Sequence, residues 1–257
     1  PSVGATENIM LSSILADGTT TIINAAMEPE IEDLQNFLNK MGAKIEGAGS
    51  NVIKIHGVKK LKDVSYNIMP DRIEAGTLLC AGAVTGGEIT LKKVNVGHIT
   101  PLIDKLTEAG CIIKLKENEI SLKAPKKLKG VDIKTMPYPG FPTDLQAIIG
   151  ATLSVGAGTS IIVENIFENR FKYVQELQKM GAKINIEGKT AIIKGVKKLY
   201  GTKVQATDLR GGASLVLAGL VAKGTTNVEN IEYILRGYEN LEEKLKSLGA
   251  EIYMVKS

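Results

Sequence analysis

One phrase occurs four times along the chain, and this repetition constrains the fold more than any other feature of the sequence. The copies read KMGAKIEG, EAGCIIKL, KMGAKINI and SLGAEIYM, and their glycines are Gly42, Gly110, Gly181 and Gly249. Successive glycines are 68, 71 and 68 residues apart. A period of this kind is typical of a chain built from one repeated supersecondary unit.

Each unit contains further shared phrases whose residue types predict its secondary structure. GTTTIIN and GTSIIVEN place β-branched residues after a turn glycine, which predicts a strand, and AKIEG and NVIKIHG predict two more short strands. EPEIEDLQNFLNKMG has apolar residues at helical spacing and ends at Gly42, which predicts an amphipathic helix with a glycine C-cap. DLQAIIGATLSVGA is apolar on nearly all sides, which predicts a fully buried helix. The predicted unit is βαβαββ, of the α/β (α+β) fold class.

The two ends of the array differ from its middle. The first unit starts at PSVGATENIM, which occupies the position of the buried helix, so we expect no leading strand there. The fourth unit ends with AEIYMVKS, so we expect its last strand to be lacking. The chain starts at Pro1 and not at a methionine.

Composition excludes several classes of function. No run approaches the roughly 18 apolar residues of a membrane span, and no leader opens the chain, so we expect a cytoplasmic protein without a membrane partner. Cys80 and Cys111 lie among apolar residues, as buried thiols in a reducing compartment do. The net charge of +4 is spread out and tryptophan is absent, so no nucleic-acid partner is expected. Metal-ligand and cofactor motifs are not apparent, so neither a metal nor a cofactor is predicted.

An aspartate lies at the start of the buried helix in three units: Asp71, Asp144 and Asp208. The same position in the first unit falls at Ser2 to Gly4. Helix N-termini carry free N–H groups that suit phosphates, so these starts are candidates for an anion site. Ordinary N-capping is the preferred interpretation for any single aspartate, and the anion site stays open as the alternative.

Arginine is rare, and it occurs beside the helix-start aspartates and in the loops after the second strands. Only four of the 32 basic residues are arginine, namely Arg72, Arg170, Arg210 and Arg236. A chain that otherwise uses lysine is expected to place arginine where a planar, bidentate cation is needed. Structural pairing with aspartate is an alternative for each one, but their shared location favours a small anionic ligand.

Several long phrases together resemble the enolpyruvyl transferase family, and within it the UDP-N-acetylglucosamine 1-carboxyvinyltransferases. They include PSVGATENIM, MPDRIEAGT, PYPGFPTDLQA, FENRF, ATDLR and RGYENLEEKL. The resemblance runs from Pro1 to the last residues and implies inside-out α/β barrel domains, each with three units around a pseudo-threefold axis. Residues 1–69 would be the last third of the first domain, and residues 70–257 the second domain. The family's N-terminal portion, with its catalytic-cysteine loop and its Lys-Asn pair, would be absent.

The resemblance also implies an activity. The family transfers enolpyruvyl from phosphoenolpyruvate to the 3'-hydroxyl of UDP-N-acetylglucosamine and releases phosphate. This is the first committed step of peptidoglycan precursor synthesis, on which bacterial cell-wall biogenesis, cell shape and division depend. We expect the isolated chain to be inactive, and to pair with the missing N-terminal half or to self-associate.

The motifs that match the family imply roles for residues on two sides of the site, one for the sugar nucleotide and one for phosphoenolpyruvate. On the sugar-nucleotide side, Asp144 would accept a hydrogen bond from the 3'-hydroxyl and act as general base. The other implied residues of this side are Ser2, Val3 and Gly4 for the diphosphate, and Ile166, Phe167 and Arg170 for the sugar nucleotide. The residues implied on the phosphoenolpyruvate side are Asp208, Arg210 and Arg236. Gly211 and Gly212 depart from the Ala-Ser expected after TDLR, so this helix start is expected to be looser.

Two other functions remain open. The sister enolpyruvyl transferases act on shikimate 3-phosphate, although they are expected to lack the phrases SVGATEN and FENRF. A noncatalytic repeat module that binds an anionic partner is the third alternative.

Overall fold

The structure is a computed structural model that describes residues 1–255. The chain divides into two compact units. The first contains Pro1–Pro70 and Met136–Gly140, and the second contains Asp71–Thr135 and the chain from Phe141 onward. The predicted boundary after Met69 lies one residue from this division, but residues Met136–Gly140 fall in the first unit and not in the second. The assignment of the two units to parts of family domains stays a prediction.

The first unit is one repeat. Its elements are α1 (Val3–Ser13), β1 (Thr19–Ile23), α2 (Pro29–Lys40), β2 (Lys44–Glu46) and β3 (Val52–His56). The three strands form an antiparallel sheet in the order β1-β3-β2. One face of α2 is buried, as its helical spacing predicts, and Gly42 ends it with a φ of 104°.

The second unit contains the other three repeats. Its elements are α3 (Arg72–Val84), β4 (Glu88–Lys92), α4 (Thr100–Glu108), β5 (Ile112–Lys116), β6 (Glu119–Lys123), β7 (Ile133–Lys134), α5 (Gln146–Leu153), β8 (Thr159–Val163), α6 (Tyr173–Lys179), β9 (Lys183–Glu187), β10 (Thr190–Lys194), β11 (Lys203–Gln205), α7 (Leu209–Gly219), β12 (Asn227–Glu229), α8 (Glu232–Leu235) and α9 (Leu241–Ser247).

The strands of the second unit form three sheets, one per repeat. Their orders are β4-β6-β5, β7-β8-β10-β9 and β11-β12. The leading strands β7 and β11 pair in parallel with β8 and β12, because a helix connects each pair. The remaining pairs are antiparallel.

Helices α3, α5 and α7 pack against one another at the centre of the second unit. Every residue of α5 is buried, which confirms the prediction from its apolar sequence. Small residues permit this packing: a Cβ at Gly76 would lie 2.8 Å from the Leu145 side chain, and one at Gly150 would lie 2.6 Å from the Tyr173 hydroxyl. The helices lie inside and the sheets outside, as in the predicted inside-out α/β barrel. The fold-class prediction is therefore confirmed.

Positive φ angles recur at equivalent positions and support the repeat. Gly42, Gly110, Gly181 and Gly249 have φ between 92° and 104°, where glycine alone carries little steric penalty.

The predicted order of elements is wrong in two places. The described residues form no strand between Val58 and Met69, and none between Ala250 and Val255. In the third repeat β9 pairs with β10, and the described part of the fourth repeat has no counterpart of β10 to pair with.

The helix that begins the first unit is less buried than its equivalents. Only Thr6, Met10 and Ser13 of α1 are buried, whereas Leu11 is 52% exposed. Within residues 1–255, no helix combines the length and apolar character needed to cross a membrane.

Candidate functional site

Asp144 lies in a 3-10 turn, Thr143–Leu145, directly before α5. Pro142 occupies the N-cap position of this turn, and no side chain caps either the turn or α5. The capping interpretation is therefore wrong for Asp144, because its carboxylate does not bind the helix N–H groups.

The equivalent residues of the other repeats do cap their helices. Asp71 accepts hydrogen bonds from the N–H groups of Ile73 and Glu74, at 2.7 and 3.1 Å. Asp208 accepts them from Arg210 and Gly211, at 3.0 and 2.8 Å. The capping interpretation is confirmed at both positions, so Asp144 is the exception.

Two arginines bind the Asp144 carboxylate instead. Nη2 of Arg170 donates to Oδ1 at 2.6 Å, and Nη2 of Arg210 donates to Oδ2 at 2.9 Å. Arg170 comes from the loop before α6, and Arg210 from the first turn of α7. The side chain of Asp144 is 38% exposed, whereas those of the arginines are 18% and 12% exposed. We refer to Asp144, Arg170 and Arg210 as the arginine–aspartate cluster.

The charges of the cluster determine its protonation. Partial burial of Asp144 opposes ionisation, but the charges of Arg210 and Arg170 outweigh this effect and hold the pKa of Asp144 below its ordinary value. Asp144 is therefore an ionised hydrogen-bond acceptor at neutral pH. Burial also opposes the charge of Arg210, but Asp144 and Tyr238 raise its pKa above the ordinary value.

Aromatic rings support both arginines. The guanidinium carbon of Arg170 lies 4.9 Å from the ring centroid of Phe167, and that of Arg210 lies 5.3 Å from that of Tyr238. Tyr238 is 1% exposed, and its hydroxyl lies 2.8 Å from Oγ1 of Thr77. Since Thr77 donates its own proton to a backbone carbonyl, the Tyr238 hydroxyl is the donor. Sequence reasoning missed Tyr238, although it lies within the phrase RGYEN.

Three guanidinium nitrogens of the cluster are buried. Nε of Arg170 and both Nε and Nη1 of Arg210 are buried without a hydrogen-bond partner in the described part of the chain. Buried donors are nearly always paired in proteins, and guanidinium N–H groups match the oxygens of carboxylates and phosphates. The cluster therefore combines guanidinium groups with an ionised carboxylate.

The remaining predicted residues of this side lie outside the hydrogen bonds of the cluster. Asp208 uses its carboxylate to cap α7. Arg236 follows α8, is exposed, and precedes Tyr238 by two residues. Ile166 and Phe167 are 40% and 51% exposed, in the loop that leads to Arg170.

Ser2, Val3 and Gly4 begin α1 in the first unit, as predicted for a helix start. The Ser2 hydroxyl accepts a hydrogen bond from the N–H of Ala5 at 3.3 Å. A Cβ at Gly4 would meet no atom within 4 Å, so the helix start is open.

A buried glutamate that sequence reasoning missed lies next to the cluster. Glu164 is 1% exposed. Its Oε1 accepts hydrogen bonds from the Thr135 hydroxyl and from the N–H groups of Ile166 and Phe167, at 2.8, 2.8 and 3.2 Å. Its Oε2 accepts one from the Thr143 hydroxyl at 2.9 Å. Its sequence signal is its position within the repeat, where the other repeats carry asparagine or lysine.

The two cysteines belong to the core and not to the site. Both are buried and unbridged, which confirms the prediction. Burial raises the pKa of Cys80 to about 12 and that of Cys111 to about 11, so both are unreactive thiols at neutral pH.

The central helices and outer sheets define an α/β repeat protein, and an arginine-bound carboxylate lies directly before its buried helix α5. The chain belongs to the EPSP synthase (3-phosphoshikimate 1-carboxyvinyltransferase) family, which it matches over residues 1–245.

Curated relatives of high sequence identity are named for a different 1-carboxyvinyltransferase from the one in the family description. One from Caldanaerobacter subterraneus subsp. tengcongensis, named UDP-N-acetylglucosamine 1-carboxyvinyltransferase 2, is 60% identical over 99% of this chain and 61% of the relative. One of the same name from Carboxydothermus hydrogenoformans is 57% identical, with the same coverage. The chain thus spans 61% of the length of these relatives.

Solved structures agree with the fold. The enolpyruvyl transferase NikO from Streptomyces tendae aligns with a TM-score of 0.86 at 29% identity, over 97% of this chain and 59% of that one. EPSP synthase from Acinetobacter baumannii aligns with a TM-score of 0.76 over 100% of this chain and 62% of that one. At 19% identity, the second similarity concerns the fold alone.

Proposed function

We propose that this chain acts in the transfer of enolpyruvyl from phosphoenolpyruvate to the 3'-hydroxyl of UDP-N-acetylglucosamine, with release of phosphate. The observation that carries the proposal is the Asp144 carboxylate held between Arg170 and Arg210, whose remaining N–H groups include buried, unpaired donors. Relatives named for this reaction, at 53–60% identity, support the choice of acceptor.

In this proposal Asp144 accepts the hydrogen bond of the sugar hydroxyl and then its proton. Its lowered pKa makes it a weak base while both arginines bind it. An anionic substrate that binds the free donors of Arg210 competes with Asp144 for that positive charge. The pKa of Asp144 then rises toward the range in which it can accept a proton, so substrate binding and base strength are coupled.

Phosphoenolpyruvate carries a carboxylate and a phosphate, so it requires several cationic donors. Arg210 offers buried donors, and Arg236 offers an exposed guanidinium. Asp208 acts on this side through the backbone, because it fixes the first turn of α7 from which Arg210 extends. These donors stabilise the charge that develops in the tetrahedral intermediate.

The helix start of the first unit and the apolar loop of the second unit each have features that suit part of a sugar nucleotide. The exposed N-terminus of α1 at Ser2, Val3 and Gly4 suits a diphosphate, because its N–H groups and helix dipole attract anions. The half-exposed side chains of Ile166 and Phe167 suit the sugar-nucleotide face. The reaction belongs to peptidoglycan precursor synthesis, and a cytoplasmic location follows from its nucleotide-sugar substrate.

Calorimetric titration of the purified chain with UDP-N-acetylglucosamine and, separately, with shikimate 3-phosphate tests the acceptor. We expect binding of the first and none of the second. Preference for shikimate 3-phosphate would favour the acceptor in the matched family's description. Binding of simple anions such as phosphate, without preference for either acceptor, would favour a noncatalytic anion-binding module.

A further inference from the structure

In each repeat, one residue directly follows the strand that comes after the buried helix. In three of the four repeats this residue has a positive φ angle. Strands β1, β4, β8 and β12 are followed by Asn24, Lys93, Glu164 and Asn230. Asn24, Lys93 and Asn230 have φ angles of 61°, 58° and 57°, which residues other than glycine seldom adopt. In the described chain, Glu164 does not share this conformation.

Glu164 turns inward instead and collects the four hydrogen bonds described above. The two backbone N–H groups can only donate, and both threonine hydroxyls lie within hydrogen-bond distance of the carboxylate oxygens. The described residues place no lysine or arginine in an ion pair with it. A buried carboxylate is tolerated only where its hydrogen bonds are complete, and here two hydroxyls and two backbone N–H groups complete them.

These four hydrogen bonds connect the segments that carry the cluster. The Thr143 hydroxyl belongs to the residue next to Asp144, and the Phe167 ring packs on Arg170. We propose that Glu164 is a positioning residue, whose carboxylate joins the turn before Asp144 to the loop before Arg170 and so brings these two side chains together. The proposal depends on the proposed function only because it is this cluster that meets the substrate.

Loss of the Glu164 charge and loss of the contact between Asp144 and Arg170 should shift the pKa of Asp144 in opposite directions. This difference makes the proposal testable. Loss of the Glu164 charge alone removes a nearby negative charge and lowers the pKa of Asp144. Loss of the contact with Arg170 removes a positive charge and raises it. A purely structural role of Glu164 would reduce stability without raising this pKa.

Three variants separate these effects. Glu164→Ala removes the hydrogen bonds as well as the charge. Glu164→Gln removes the charge but keeps an acceptor at Oε1, and the Thr143 hydroxyl can turn to accept from the new amide. Glu176→Ala is the matched control, because Glu176 is also a buried carboxylate, bonded to Lys179 and to the N–H of Gln205.

The measurement is the pKa of Asp144, followed by carboxyl carbon NMR and assigned with an Asp144→Asn sample. We expect Glu164→Ala to raise it, and both Glu164→Gln and Glu176→Ala to leave it low. An unchanged or lower value in Glu164→Ala overturns the proposal, as does an equal rise in Glu176→Ala. If Glu164→Ala does not fold, Thr143→Val takes its place. We then expect the pKa of Asp144 to rise, and an unchanged pKa would contradict the proposal.

A binding measurement adds a second arm. UDP-N-acetylglucosamine should bind Glu164→Ala on the order of tenfold more weakly than wild type, with binding restored in Glu164→Gln. If the wild-type chain binds no UDP-N-acetylglucosamine, the proposed function fails. The pKa measurement then decides the role of Glu164 by itself.

Discussion

Asp144 and Asp208 begin equivalent helices in adjacent repeats, yet they bind different groups. One oxygen of Asp208 accepts two backbone N–H groups of α7, whereas both oxygens of Asp144 bind guanidinium groups. The same residue type at the same repeat position is therefore a helix cap in one case and the centre of a candidate site in the other. The comparison teaches that the local backbone, and not the residue type, determines which groups the carboxylate reaches.

The backbone before α5 explains the difference. Pro142 and the 3-10 turn place Asp144 two residues beyond the N-cap position, and the Thr143 hydroxyl binds Glu164. Helix α5 thus lacks a side-chain cap, which ordinarily contributes about 1 kcal/mol. Burial of all its residues stabilises α5 in the absence of a cap.

The largest expected effect comes from replacing each aspartate with asparagine. Asparagine caps helices as well as aspartate does, so Asp208→Asn should change turnover by less than about tenfold. Asp144→Asn removes the proposed base and should reduce turnover on the order of 10² to 10⁴-fold. Phosphate release from phosphoenolpyruvate measures both, with each variant reconstituted with the N-terminal portion of a relative, because the isolated chain is expected to be inactive. Similar losses in the two variants would remove the distinction.

A smaller effect is expected from replacing arginine with lysine. Arg210→Lys keeps the charge but cannot bind Asp144 and offer a bidentate face together, so phosphoenolpyruvate should bind on the order of tenfold more weakly. Arg236→Lys should weaken binding less, because Arg236 is exposed and lies outside the cluster. Calorimetry with phosphoenolpyruvate provides the comparison, and equal affinity in Arg210→Lys and wild type would contradict a bidentate role.

Removal of the caps should have a moderate effect on stability. Asp71→Ala and Asp208→Ala each leave two N–H groups without their acceptor, and each should lower the free energy of unfolding by about 1 kcal/mol. Urea unfolding followed by circular dichroism measures both losses. No loss in either variant would show that its carboxylate does not stabilise the helix start.

The smallest expected effect is the pH dependence of the cluster. The pKa of Asp144 is lowered in the folded protein, so its ion pairs contribute stability above the ordinary value of 3.8. This contribution is lost as the pH falls through the lowered pKa. It should be modest because Asp144 is more than one-third exposed and solvent screens the charges. NMR titration should give a low midpoint in the wild type and a higher one in Arg210→Met, and identical midpoints would exclude a role for Arg210.

Local patterns predicted much of the fold correctly. The phrase around Gly42 predicted a helix and its C-cap, and the glycines at equivalent positions all have positive φ angles. The apolar sequence of α5 predicted its complete burial. The strand expected after Gly249 was wrong, because a strand also needs a neighbour with which to pair.

The site could be predicted only in part. Sequence reasoning selected Asp144, Arg170 and Arg210, but it could not distinguish an ion pair from a helix cap. It missed Glu164 and Tyr238, whose roles depend on what surrounds them. The one available signal was a glutamate at a position where two other repeats place asparagine and one places lysine.

By itself, the sequence determined the repeat, the type of most elements and the faces that are buried. These properties follow from residue types at short spacing, and neighbouring residues are sufficient to produce them. Only the tertiary structure decided that Asp144 meets Arg170 and Arg210, which lie 26 and 66 residues further along the chain. The physical reason is that packing of α5 against α7 brings Asp144 and Arg210 together, while the loop before α6 supplies Arg170, and no local pattern specifies these distances.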